Sequence, residues 1–87
     1  MEWIKIFTVE YEIIGRKVAY YRALNKFSQA QLAKKIGISV SYLSKIECAN
    51  VESISLSTLL LIAKGLNVPA YLLIKFDEGE ALVQKRK

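Results

Sequence analysis

The stretch that decides the fold is Ser28-Gln29-Ala30-Gln31-Leu32-Ala33-Lys34-Lys35-Ile36-Gly37-Ile38-Ser39-Val40-Ser41-Tyr42-Leu43-Ser44-Lys45-Ile46-Glu47. Apolar Leu32, small Ala33 and apolar Ile36 recur at helical spacing, Gly37 interrupts them, and Leu43 and Ile46 resume three residues apart. Two short helices meeting at a glycine corner are the direct reading. Ser28 with Gln31 forms a capping-box pattern, Phe27 is placed to staple onto Leu32, and Ser39 is a good N-cap for the helix that follows. Gly37 suits the positive φ of a helix end, and a steep crossing after so short a turn requires a side chain no larger than Ala33.

Working outward, Ile14, Val18, Tyr21 and Leu24 predict a preceding helix with one apolar face, ending near Asn25, which tolerates the left-handed conformation. Downstream, Ser55 or Ser57 caps a fourth helix carrying Leu59, Leu60, Ile62, Ala63 and Leu66, and Asn67 ends it. Pro69 opens a fifth, with Leu72, Leu73 and Phe76 as its stripe. Trp3–Val9 reads either as a strand-like arm or as an extension of the first helix. The expected organisation is an arm over residues 1–12, a helical domain over 13–76 and a charged tail over 77–87.

Composition bounds the function. Eighty-seven residues make one domain, with no histidine and a single cysteine, so a disulfide framework, the usual zinc sites and histidine-based catalysis lack their commonest participants. No metal-ligand cluster, glycine-rich phosphate loop or nucleophile–base pair supports an enzyme, and no cofactor is expected. No apolar run approaches the ~18 residues of a membrane span, and nothing at the N-terminus suggests secretion, so a cytoplasmic protein is expected. The segment 13–76 holds nine basic residues against Glu47 and Glu52, a net of +7, and a compact cationic body points to a polyanion. Lysines that merely solubilise a greasy domain are the plainer alternative.

The motif from Ser28 to Ser39, followed by Tyr42-Leu43-Ser44-Lys45-Ile46-Glu47, resembles the phage-repressor and Cro family of helix-turn-helix proteins, and among them the small restriction–modification controllers and antitoxins. The resemblance covers about Ile14 to Ile74. It implies an all-α, lambda-repressor-like bundle of five helices whose third, about Val40–Glu47, lies in the major groove of double-stranded DNA. It places Val40, Ser41, Ser44 and Lys45 toward base edges, and Gln29 and Tyr42 toward phosphate. It also implies that Arg22 and Glu47 pair to lock the first helix to the end of the third. Where the family commonly follows that glutamate with Arg-Gly, this chain has Cys48-Ala49-Asn50. Asn50 could take the left-handed conformation there, and Cys48 reads as a small buried or half-buried filler in preference to a redox switch.

Chemistry of the base-facing set is modest. Val40 offers a methyl contact to thymine, Ser41 and Ser44 bond several base edges, and Lys45 reaches guanine or phosphate, but no exposed Arg, Asn or Gln supplies a bidentate reader. Lys17, Lys26, Lys34 and Lys35 add phosphate candidates, although Lys34 and Lys35, ~100° apart on a helix, cannot both face DNA. Tyr71, Ile74 and Phe76 are candidate dimer contacts, with Trp3, Ile4, Ile6 and Phe7 as possible helpers. Two functions follow. One is a homodimeric transcription regulator on a pseudo-palindromic operator, repressor-like, with half-site centres ~34 Å apart. The other is a protein-interaction module, antitoxin-like, that keeps the bundle with weak or no DNA binding.

Overall fold

The computed structural model describes residues 7–76, and these are helical with no strand among them. Five helices run in order: α1 (Thr8–Leu24), α2 (Gln29–Ile36), α3 (Val40–Glu47), α4 (Leu56–Leu66) and α5 (Tyr71–Ile74). α1 begins at Thr8, so over its described part the ambiguous opening segment extends the first helix, which runs unbroken across position 12. Trp3, Ile4, Ile6 and the tail 77–87 lie outside the described residues.

The turns share one device. Each of the first four helices is followed within two residues by one with positive φ: Lys26 (62°), Gly37 (79°), Ala49 (59°) and Asn67 (60°). After it, the amide of the next residue reaches back to a carbonyl of the helix: Phe27 to Arg22, Ile38 to Ala33, Asn50 to Lys45 and Val68 to Ala63, at 2.8–3.1 Å. This satisfies carbonyls that the helix end leaves without partners. In three cases that next residue is apolar, and Phe27, Ile38 and Val68 all drop onto the core. Asn67 ends α4 as expected, and Gly37 takes the positive φ expected of it. Asn25 does not: it stays right-handed at φ −83°, and Lys26 takes the left-handed place because the residue before the inward-turning Phe27 must reverse the chain. Asn25 instead donates from its side chain to the carbonyls of Tyr21 and Leu66, tying α1 to α4.

Ala49 likewise occupies the left-handed position expected of Asn50. For an L-residue with no side-chain compensation this conformation costs about 1–2 kcal/mol. Ala49→Gly is therefore expected to stabilise the domain by about 1 kcal/mol, a rise of roughly 4–8 °C in melting temperature. Calorimetry showing no rise would contradict the strain assigned to this corner.

Caps are local and follow the sequence. Ser28 accepts from the Gln31 amide while the Gln31 side chain accepts from the Ser28 amide, Ser39 caps α3 and Ser55, rather than Ser57, caps α4. The core gathers Ile14, Val18, Leu32, Ala33, Ile36, Leu43, Ile46, Leu59, Ile62, Ala63, Leu66 and Leu73. α1 packs against α3, α4 and α5, and α2 against α3 and α4. Three partners need a broad buried arc, so Ile13 and Gly15 join Ile14 and Val18, whereas Leu24, expected on that face, is 59% exposed in the last turn. Leu60 is also exposed: α4 is covered on one side, already filled by Leu59, Ile62, Ala63 and Leu66. α5 is shorter than its apolar stripe implied. The chain turns at Pro69 and Ala70, whose carbonyls accept from Leu72 and Leu73; Leu73 alone is fully buried, and Phe76 lies beyond the helix.

Candidate nucleic-acid interface

α3 presents two faces. Leu43 and Ile46 are fully buried, and Tyr42, half-buried, leans on the same core. Opposite them Val40, Ser41 and Lys45 are exposed, and Ser44 is half-exposed. At ~100° per residue these four side chains span about 140° of the helix circumference. The expected base-facing set is thus one outward stripe, while Tyr42 stands at its margin as much a packing residue as a surface one. Cys48 corrects the sequence reading. It is exposed: its amide still donates to the Ser44 carbonyl at 3.0 Å, which brings position 48 over Ser44 and Val40 at steps of four. That spacing was visible in the sequence and pointed outward.

The stripe is held by a polar lock at its end. Arg22, in the last turn of α1, donates from Nε to Glu47 Oε2 at 2.6 Å and from Nη2 to Glu47 Oε1 at 3.0 Å, and from Nη1 to the Phe27 carbonyl at 2.9 Å. The paired side chains are 20% and 6% exposed, so solvent screens them little. Hydrogen bonding to Glu47 raises the Arg22 pKa; partial burial opposes this, and the carboxylate charge adds to it. The predicted lock between the first and third helices is therefore present. A second donor, Gln29 Nε2, reaches Glu47 Oε1 at 2.9 Å. Sequence reasoning assigned Gln29 to phosphate alone; its internal bond joins residues 18 positions apart, and no local pattern announces it.

The phosphate candidates separate by what they already do. Lys26 and Lys34 are exposed, at the α1–α2 turn and on α2. Lys35 turns to α4: its Nζ donates to the Gly65 carbonyl at 2.9 Å and lies 4.9 Å from the Phe27 ring centroid, a cation–π arrangement. Lys35 thus braces α2 against α4, while Lys34 is exposed on the same helix. Lys17 donates to the carbonyl of Lys75 and fastens α1 to the chain after α5. Tyr71, Ile74 and Phe76 are exposed by 61, 42 and 39%, and α4 adds exposed Leu56, Leu60 and Leu61. Ala33, 1% exposed, is the small residue its position requires. Among the described residues no group of His, Cys, Asp or Glu could hold a metal ion. No helix among them is long and apolar enough to cross a membrane.

Two short helices joined by a left-handed glycine corner, the second outward and locked at its end, are matched by the helix-turn-helix family model over residues 18–73. The chain belongs to the Cro/C1-type helix-turn-helix family. This family comprises transcription regulators. Among curated members, the chain is 39% identical over 56 residues to control protein C.SmaI of Serratia marcescens, covering 64% of this chain and 66% of that protein. It is 45% identical over 42 residues to the uncharacterised regulator YazB of Bacillus subtilis, covering 48% of this chain and 61% of the other. The chain thus spans somewhat under two-thirds of the length of each. Among solved structures it is similar to the N-terminal DNA-binding domain of SinR from Bacillus subtilis, with TM-score 0.71 and 30% identity, over 77% of this chain and 97% of that one. SinR in complex with DNA superposes with TM-score 0.68 and 32% identity, over 71% of this chain and 98% of that one. A hypothetical transcription factor from Neisseria gives 0.73 and 27%, over 86 and 84%.

Proposed function

We propose that this chain is a sequence-specific DNA-binding regulator that seats α3 in the major groove and acts as a homodimer on a two-fold operator. The observation that carries the reading is the outward stripe of α3, with Val40, Ser41, Ser44 and Lys45 turned from the core by buried Leu43 and Ile46. The lock on Glu47 gives that stripe a fixed direction. SinR, a relative by structure and sequence, is solved with DNA bound. Lys26, two residues before the motif, and Lys34, within it, are exposed and supply phosphate contacts in this reading. The second subunit docks on the exposed apolar residues of α4 and α5, Leu60, Tyr71, Ile74 and Phe76, which a soluble monomer gains nothing by displaying.

With no bidentate reader in the stripe, discrimination comes from several weak contacts, DNA shape and the spacing of two half-sites. Selection of bound duplexes from a random pool tests this directly: a pseudo-palindrome with half-site centres ~34 Å apart is expected. On the selected operator, Ser41→Ala with Lys45→Ala should weaken binding about tenfold. The melting temperature should stay nearly unchanged, because both side chains are exposed. Undiminished operator affinity would refute the groove assignment. With roughly six phosphates neutralised, affinity should fall ~10³-fold between 50 and 200 mM salt, and failure to bind at the lower salt would favour a protein-interaction role.

A further inference from the structure

We propose that Gln29 is a positioning residue for the recognition helix, acting on DNA sequence readout through Glu47 and not chiefly through a phosphate. This inference rests on α3 being the base-reading element. Gln29 is the first residue of α2, half-buried, and its side-chain nitrogen donates to Glu47 Oε1 at 2.9 Å, the oxygen that also accepts from Arg22 Nη2 at 3.0 Å. Glu47 is the last residue of α3. Its carboxylate therefore collects donors from two different helices, α1 through Arg22 and α2 through Gln29.

The geometry gives the two donors different work. The Arg22 fork ties the end of α3 to α1, alongside the packing of buried Leu43 and Ile46. The Gln29 bond ties the same carboxylate to α2, so the end is restrained from two directions. Because the helix leading into α3 supplies it, the bond also ties the far end of α3 to the start of the motif, closing the α2–corner–α3 unit into a ring. Charge assistance from the carboxylate makes the bond stronger than one between neutral groups. A weak, non-bidentate reading stripe depends heavily on its aim, since misplacing it affects Val40, Ser41, Ser44 and Lys45 together.

A phosphate contact and a positioning bond leave different signatures. Loss of a phosphate contact weakens binding about equally on all sequences, whereas loss of aim weakens the operator alone. The experiment measures the affinity of wild type, Gln29→Ala and Gln29→Lys for the selected operator and for a mixed-sequence duplex, together with the melting temperature of the free proteins. For Gln29→Ala the expected result is about tenfold weaker operator binding, mixed-duplex affinity within about twofold of wild type, and a lower melting temperature without DNA. Gln29→Lys, which can still donate to Glu47, should keep the operator-to-mixed ratio. Equal weakening on both duplexes, or no change on either, overturns the proposal. Should the wild-type protein not discriminate the two duplexes, the groove reading itself fails. The brace is then judged from thermal unfolding of Gln29→Ala, Glu47→Ala and the double variant: non-additive shifts support the bond, and additive shifts refute it.

Discussion

Glu47→Ala is expected to destabilise the domain by about 3 kcal/mol, a fall of roughly 12–24 °C in melting temperature. The substitution removes the acceptor for two Arg22 donors and for Gln29, and it leaves a guanidinium whose side chain is only 20% exposed with the Phe27 carbonyl as its remaining recorded partner. An ion pair in open solvent would contribute far less, ~0–1 kcal/mol. A shift below about 5 °C would place this pair in that class. The double variant Arg22→Ala, Glu47→Ala should be less damaged than the two single losses summed, because much of each loss is the partner left stranded. On the arginine side the contribution is insensitive to pH. A pKa raised in the folded state means stability fully present below the unfolded value and lost only as pH rises through the folded one, above the ordinary arginine range. Proton release from Arg22 should therefore add no slope to a stability profile between about pH 7 and pH 9.

What the sequence made legible was chemistry that acts over a few residues. The Ser28–Gln31 box and the Ser39 cap depend on a side chain meeting a backbone amide three positions away, the Gly37 corner and the Asn67 stop on a residue that tolerates positive φ, and each stands where the residue type places it. The Arg22–Glu47 pair came from resemblance to a family, since nothing in the spacing of two charges 25 residues apart specifies that they meet. What stayed hidden was decided by neighbours. Leu24 and Leu60 carry the same apolar signal as Val18 and Leu59, and only the packing of α1 and α4 separates exposed from buried. Lys26 and Ala49 take left-handed turns that glycine or asparagine would advertise, because the helix-end carbonyls must be satisfied whatever residue stands there. Lys17, Lys35 and Gln29, phosphate candidates by sequence, also bond across the fold, to Lys75, Gly65 and Glu47, which no local pattern announces.

Gly15→Ala separates local propensity from tertiary packing, because the two predict opposite signs. In the interior of α1, replacing glycine by alanine should stabilise an isolated helix by about 1 kcal/mol. Within the fold, the added Cβ would stand 2.6 Å from the Ile46 carbonyl oxygen and 2.7 Å from that of Glu47, with the Glu47 carbonyl carbon at 3.1 Å. These are backbone atoms at the end of α3, held by the Schellman turn through Ala49 and by the Glu47 lock, so no rotamer change can relieve the overlap. α1 and α3 must move apart by several tenths of an ångström. Overpacking of this kind costs ~1–3 kcal/mol, and immovable obstacles place it at the upper end. After the helix-propensity gain, a net loss of about 2 kcal/mol remains, or roughly 8–16 °C in melting temperature. The same displacement reaches Ser44 and Lys45 one turn back, so operator affinity should fall further than mixed-duplex affinity, as for Gln29→Ala. A variant that melts at or above the wild-type temperature would show that α1 does not approach α3 this closely, and would remove the physical basis for a recognition helix whose aim is set from behind.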